Sequence, residues 1–252
     1  VRVIVNADDL GLSVEINEAI ERALRLGWCS STSLMANGPA FEDAAGRLRG
    51  LGSPPVGVHL NLSEGPPLTH HPGLTPLLQG GTLSPLGLHA GPAERAAVLG
   101  EWAAQIERVR AAGLVISHLD SHQHLHHQPL LFGVVAELRR RFGLRRTRTM
   151  GAWRLGVGAR GLAQWLRARR FRRALRADGA LTTDEFMSVR VFRALLRDPL
   201  HRRLLRGASV ELMAHPGNPH DPTYREELDW LAAGGLSAVR GPLRLLSWAQ
   251  LS

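Results

Sequence analysis

Residues 1–11 read VRVIVNADDLG. A short apolar run, Val1–Val5, suits a buried β-strand and passes directly into Asn6, Ala7, Asp8 and Asp9. A strand buried on both faces should not end in two adjacent carboxylates without a reason, because burying unpaired charge is costly. The same pattern recurs along the chain. His59 and Asn61 close VGVHLNL (56–62), five histidines fall within ISHLDSHQHLHH (116–127), and His215 ends VELMAHPG (210–217). Each polar cluster follows an apolar strand. In folds of alternating strands and helices, the carboxyl ends of parallel strands share one face, where sites form.

Outward from these runs the alternation is regular. Val14–Leu26 has helical spacing at Ile16, Ile20, Ala23 and Leu24, with Ser13 as its N-cap. A strand is predicted at Ser31–Met35, a helix at Phe41–Arg49 and a strand at Val56–Leu62. Residues 63–92, rich in Gly, Pro, Thr and Leu, break the rhythm and read as a long excursion that walls a cleft. A helix at about 93–111 and a strand at Leu114–Leu119 follow. Beyond them come a helix at about 129–142, a strand at about 146–150 and helices over 158–176 and 189–205. Ser209–Ala214 is a strand, Tyr224–Ala233 a helix, and a short strand and helix end the chain. About seven such units, with no linker, internal repeat or low-complexity segment, predict a single α/β domain over 1–252. Its mainly parallel sheet would be closed or nearly closed into a β/α barrel.

The 252 residues can bury a substantial core without a disulfide or a structural metal. Cys29 is the single cysteine, which excludes an intrachain disulfide and a cysteine-based zinc cluster. No apolar run reaches the length of a membrane span, and the opening segment reads as a strand rather than a leader; a cytoplasmic location is the expectation. All 31 basic residues are arginine, giving a net charge of +9. The runs at 139–148, 167–176 and 202–206 read as solvated helix faces rather than a nucleic-acid surface, since few aromatics are interleaved for base stacking. Neither a nucleic-acid nor a membrane partner is expected.

Asp and His at several strand ends suit a divalent cation, since two histidines and one carboxylate leave open positions for water and substrate. Such an ion acidifies water and polarises a carbonyl, which points to hydrolysis, and adjacent aspartates could divide ligation from base catalysis. Strand alternation places His118, Asp120 and His122 on one face. The residues alone do not choose among the crowded histidines.

The motifs NADDLG (6–11), STSLMANG (31–38), GVHLNLSEG (57–65), HLDSHQHLH (118–126) and AHPG (214–217) together resemble the YdjC-like carbohydrate deacetylases, the family of ChbG-type chito-oligosaccharide deacetylases. They stand in family order over most of the chain and leave 150–205 unmatched. Leu10 stands where the family often has Phe. The resemblance implies a distorted (β/α) barrel related to NodB-type polysaccharide deacetylases, and hydrolysis of the N-acetyl group of amino sugars or chito-oligosaccharides. It implies Asp9, His59 and His122 as metal ligands, Asp8 as catalytic base and His215 as the group that protonates the departing amine. Asn61, Asp120 and His124 are candidates for substrate contact or for orienting the ligands. The family implies magnesium, whereas two imidazoles favour zinc or a similar ion. Trp153, Trp165, Trp230 and Trp248 could stack on sugar rings, the last two being better core candidates. A homodimer is compatible with the sequence. The rival readings are a non-catalytic sugar-binding protein and a metallo-amidohydrolase or phosphoesterase on a related barrel; the second would want further ligands and a second ion.

Overall fold

The computed structural model describes residues 1–89, 91–150, 159–197, 207–219, 222–239 and 242–252. The strands are β1 (Arg2–Leu10), β2 (Ser31–Leu34), β3 (Val56–Leu60), β4 (Leu78–Gln79), β5 (Thr82–Leu83), β6 (Ile116–Ser121), β7 (Glu185–Ser188), β8 (Ser209–Ala214) and β9 (Arg244–Leu245). The helices are α1 (Val14–Arg25), α2 (Phe41–Gly50), α3 (Pro92–Ala111), α4 (Phe132–Phe142), α5 (Ala159–Ala177), α6 (Val189–Leu195) and α7 (Pro222–Ala232). The main sheet runs in the order β6-β3-β2-β1-β8-β7, with β9 also on β1, and its pairings are parallel. The fold is thus the α/β class read from the sequence, with a curled parallel sheet.

β1 lies near the middle of that sheet, and Val3 through Leu10 are all buried. Covered on both faces, it carries an apolar run where an exposed strand would alternate. Its pairing with β2 is regular at Asn6 and Ala7, then shifts register before Leu10. Asp9 sits inside that irregularity with φ of 69°. This is the left-handed region, which Asp enters more readily than most residues. The bulge breaks the strict alternation of side chains and re-aims the last residues of the strand. α1 starts where its sequence says it should. The Ser13 hydroxyl accepts from the Ile16 amide at 3.2 Å, which satisfies one of the free donors at the helix start.

Three expectations change. The strand expected at 146–150 is reduced to single bridges, Leu119 with Thr147 and Arg146 with Leu181. This stretch, LRRTRTM, alternates arginine with threonine, and although Thr147, Arg148 and Thr149 are fully buried, it keeps only these isolated pairings with its neighbours. It nonetheless lines the open side of β6. Second, β7 is an addition, since four residues between acidic and arginine-rich stretches carry almost no periodic signal. Third, α6 spans only Val189–Leu195; the rest of the expected 189–205 helix reaches into 198–206, outside the described residues. The 63–92 excursion contains the small β4–β5 hairpin and short 3-10 turns. It is anchored by the buried Glu101 of α3, whose carboxylate accepts from the Leu68 and Thr69 amides at 3.0 and 2.9 Å. Among the described residues, no helix is long and apolar enough to cross a membrane.

At one glycine, close approach is decisive. The Gly57 Cα lies against the His118 ring, so a Cβ there would overlap ring atoms. That ring cannot yield, because it also stacks on the buried Trp248 at 4.6 Å between centroids. Gly57→Ala should therefore destabilise the fold by about 1–3 kcal/mol, in the range of overpacked cores. Urea unfolding would measure it; wild-type stability would show that the β3–β6 contact is loose.

Candidate metal and catalytic site

Asp9, His59 and His122 come from the carboxyl ends of β1, β3 and β6, brought together by the parallel order of the sheet. Their ligand atoms all lie within 4.8 Å of one another. Asp9 Oδ1 is shared: it meets His122 Nδ1 at 2.9 Å and His59 Nε2 at 3.3 Å. The far side of His59 is held by Asp120, whose Oδ1 lies 2.9 Å from Nδ1, with the Ser33 hydroxyl at 3.2 Å. The far side of His122 meets Glu64 Oε1 at 3.0 Å. His215 approaches Asp9 Oδ2 at 3.9 Å and stacks on Tyr224 at 4.3 Å.

This arrangement is rich in negative charge. Burial opposes the charged form of His59, but Asp120 and then Asp9 drive its pKa up to about 10. His122 is raised to about 9 against its burial, by Asp9 and Glu64. Burial would raise Asp9, yet its bonds to His122 and His59 hold it well below the usual carboxylate range. His215 is lowered, chiefly by burial, against the pull of Asp9 and Asp8. Two imidazoles that retain protons above neutrality mark a place suited to positive charge. One carboxylate and two imidazoles also form a donor set that suits zinc or a similar ion better than magnesium, which takes oxygen ligands.

Asp8 faces a different partner. Arg148 grips it in a two-pronged pair, Nη2 to Oδ1 and Nη1 to Oδ2, both at 2.7 Å. Asn6 Nδ2 donates to the same Oδ1 at 2.8 Å. Such a fork is the strong form of a charged hydrogen bond. With two donors on Oδ1 and one on Oδ2, a lone pair of Oδ2 is left to accept a proton. The same guanidinium meets Asp120 Oδ2 at 2.9 Å and Glu211 Oε1 at 2.8 Å, and lies over the Phe186 ring. All four charged side chains are wholly or almost wholly buried. This corrects the reading of the 139–148 run as a solvated face: Arg148 is the counter-ion at the centre of the fold. Arg139 is buried too, paired with Asp178 at 2.7 Å, while Arg140, Arg141 and Arg176 reach Asp178, Glu107 and Asp184 from the surface.

Sequence reasoning also passes over Glu211 and Glu64. Glu211 is detectable as the lone acid inside the apolar strand SVELMA; Glu64 falls within the GVHLNLSEG motif but beyond the strand end that marks His59. The histidine cluster divides cleanly. His122 turns into the site. His118 packs between Gly57 and Trp248, with burial pushing it down to about 3. His126 bridges the Ser121 hydroxyl at 2.6 Å and the Arg148 carbonyl at 3.2 Å. His127 is enclosed beside Phe171, and His124, with φ of 57°, lies edge-on to Phe186. Asn61 commits its side chain to Asn37, Ser63 and Glu64, shaping the loop rather than reaching the cluster. Trp248 is core and donates to Glu211 at 3.1 Å; Trp230 is half-buried beside Phe192. Trp153 and the side chain of Trp165 lie outside the described residues.

Fold and site together define an α/β protein with an Asp–His–His centre at the carboxyl ends of a curled parallel sheet. The chain belongs to the YdjC-like family, whose model, described as YdjC-like protein, matches residues 2–238. Among its relatives is a carbohydrate deacetylase of Geobacillus stearothermophilus, 35% identical over 84% of this chain and 78% of that one. A chitooligosaccharide deacetylase of Enterobacter sp. strain 638 is 30% identical over 95% of this chain and 91% of that one. Among solved structures, an Enterococcus faecalis V583 protein named for cellobiose-phosphate cleavage superposes with a TM-score of 0.76 at 20% identity. That match covers 100% of this chain and 98% of the other, and it shows the fold.

Two predictions concern the buried charges. Removing Arg148 leaves three carboxylates facing one another, so Arg148→Met should cost about 3–5 kcal/mol in denaturant unfolding. Arg148→Lys should not restore it, because an ammonium cannot reproduce the fork on Asp8. Burial, opposed by Arg148 and reinforced by Asp8 and Asp120, raises Glu211 to about 7 from an ordinary 4.5. A raised folded-state pKa contributes stability that is fully present below the unfolded value and is lost as pH climbs through the folded one. The part of the metal-free protein's stability that comes from Glu211 should therefore fall between about pH 4.5 and pH 7, against the opposite slope set by the buried neutral histidines such as His118 and His215. Glu211→Gln should remove that contribution, so the stability difference between wild type and variant should change across this interval; parallel profiles would mean that Glu211 is ionised in the fold.

Proposed function

We propose that the chain is a metal-dependent carbohydrate deacetylase, a single domain that hydrolyses the N-acetyl amide of an amino sugar or chito-oligosaccharide. The observation that carries this reading is the convergence of Asp9 Oδ1, His59 Nε2 and His122 Nδ1 at the strand ends, beside a separate buried aspartate. The names of the relatives, carbohydrate deacetylase and chitooligosaccharide deacetylase, support the substrate class.

Asp9, His59 and His122 would hold one divalent cation, which when bound supplies Lewis acidity toward the acetyl carbonyl and makes a neighbouring water more acidic. Asp8 is the base. It takes the proton of the attacking water on the lone pair of Oδ2 as the water oxygen adds to the carbonyl carbon. Arg148 and Asn6 fix the carboxylate in place, so little motion is needed at the moment of transfer. His215 gives a proton to the sugar nitrogen as the carbon–nitrogen bond breaks, releasing acetate and a free amine. Burial lowers its pKa, so His215 must take up a proton before the step. Once protonated it is a ready donor, the proton taken from water by Asp8 restores it for the next turnover, and the Tyr224 ring stacks against it. The division of labour between Asp8 and Asp9 follows their surroundings: one is paired to a fixed cation, the other to two imidazoles.

Acetate release from N-acetylated chito-oligosaccharides of defined length, with zinc, cobalt or magnesium added to metal-stripped protein, tests the reading. Asp8→Asn should lower turnover by at least about 100-fold, the low end of general-base contributions, while metal content is retained. His122→Ala should lose the ion by elemental analysis. Full activity in Asp8→Asn removes the base from that residue; undiminished metal in His122→Ala removes it from the ligand set.

A further inference from the structure

We propose that Glu64 is a positioning residue of the cation site, holding the outer nitrogen of His122 so that Nδ1 faces Asp9. The inference rests on the reading that Asp9, His59 and His122 hold a divalent cation. The two imidazoles are built alike. His59 turns Nε2 toward Asp9 Oδ1 and places Nδ1 on Asp120 at 2.9 Å. His122 turns Nδ1 toward the same Asp9 oxygen and places Nε2 on Glu64 at 3.0 Å. Each ring thus has one nitrogen at the shared oxygen and the other on a second carboxylate. Ligating histidines are oriented in this way: the outer N–H donates to a carboxylate, which fixes the tautomer and strengthens the inner nitrogen as a ligand.

Asp120 owes its position to β6. Glu64 belongs to an irregular loop and its side chain is 42% exposed, so its placement needs its own cause. The loop supplies one. Asn61 Oδ1 accepts from the Glu64 amide at 3.2 Å, and Asn61 Nδ2 donates to the Glu64 carbonyl at 2.6 Å. Asn37 Nδ2 donates to that carbonyl at 3.1 Å and to the Pro66 carbonyl at 3.0 Å, and its Oδ1 accepts from Asn61. Gly65, with φ of 68°, makes the turn that follows, a conformation open to glycine at no steric cost. Both backbone groups of Glu64 are therefore fixed by two buried asparagines, a costly way to hold a rim glutamate with no task. The carboxylate itself, being exposed, adds little to stability, so variants at this position should fold.

The test compares metal-stripped wild type with Glu64→Ala, Glu64→Gln and Asp9→Asn. Zn²⁺ affinity is measured by competition with a chromophoric chelator, the Co²⁺ visible spectrum reports coordination, and metal-free thermal midpoints check folding. Wild type should take up one ion per chain and Asp9→Asn none. Glu64→Ala should bind Zn²⁺ about 10–100-fold more weakly and alter the Co²⁺ spectrum. Glu64→Gln should lose less, because its amide oxygen still accepts from Nε2–H. Wild-type affinity and an unchanged Co²⁺ spectrum in Glu64→Ala would overturn the inference while leaving the cation site standing. So would a raised KM for acetate release at unchanged affinity, which would make Glu64 a sugar contact. A wild-type chain that takes up no ion would overturn the underlying reading and this inference with it.

Discussion

The interior of this protein is organised around one buried guanidinium. Arg148 faces Asp8 on β1, Asp120 on β6 and Glu211 on β8, three strands that reach it from different parts of the sheet. Desolvating an arginine and three carboxylates is expensive, and only close, hydrogen-bonded geometry offsets it. The consequence is positional. A fork on Asp8 and contacts to two further strands leave Arg148 a single low-energy placement, and they leave the strands little freedom to slide. Against its burial, Arg148 is held well above its ordinary pKa by Asp120, then Asp8, then Glu211, so the charge is permanent.

One permanent cation does not balance the acids around it. Asp9 adds a fourth buried carboxylate, and it is here that the two imidazoles are raised. Asp120 connects the halves, with one oxygen on Arg148 and the other on His59. The ion cluster that fastens the sheet and the cluster that would bind a cation are therefore a single network. Its fixed charge lies on the Arg148 side; its exchangeable charge lies on the Asp9 side. The bulge at the end of β1 makes this division possible. In a regular strand, Asp8 and Asp9 would point to opposite faces. With Asp9 in the left-handed region, the two neighbours serve adjoining halves of one site.

Much of this is legible in the residues themselves. Apolar strands ending in Asp or His, repeated four times, locate a site on one face of a parallel sheet, and the family motifs choose His122 among its neighbours. The fold brings His122 to Asp9 and commits its neighbours elsewhere: His118 to Trp248, His126 to Ser121 and Arg148, and His127 to Phe171. Arg148 is hidden by its company. In a chain whose bases are all arginine, the buried one looks like every other, and only the partners it meets across the fold mark it out. Glu211 is visible as an acid inside an apolar strand, but its partner lies 63 residues away. The segment around Arg148 reads as a strand because it alternates; it pairs only at single residues, Thr147 with Leu119 and Arg146 with Leu181.

The 63–92 excursion offers the converse lesson, because its composition reads as loose and its anchors do not. Glu101 and Gln105 lie one turn apart on the buried face of α3, linked at 2.9 Å. Glu101 accepts from Leu68 and Thr69, while Gln105 takes both the amide and the carbonyl of Asn61, at 2.9 and 2.8 Å. A polar pair on a buried helix face would count against a helix packed only for its apolar contacts. Here it satisfies loop backbone that has no strand partner. The chain of contacts then runs from α3 through Asn61 to Glu64 and His122. A loop so tied inherits the rigidity of the helix beneath it, which a site built to a few tenths of an ångström requires.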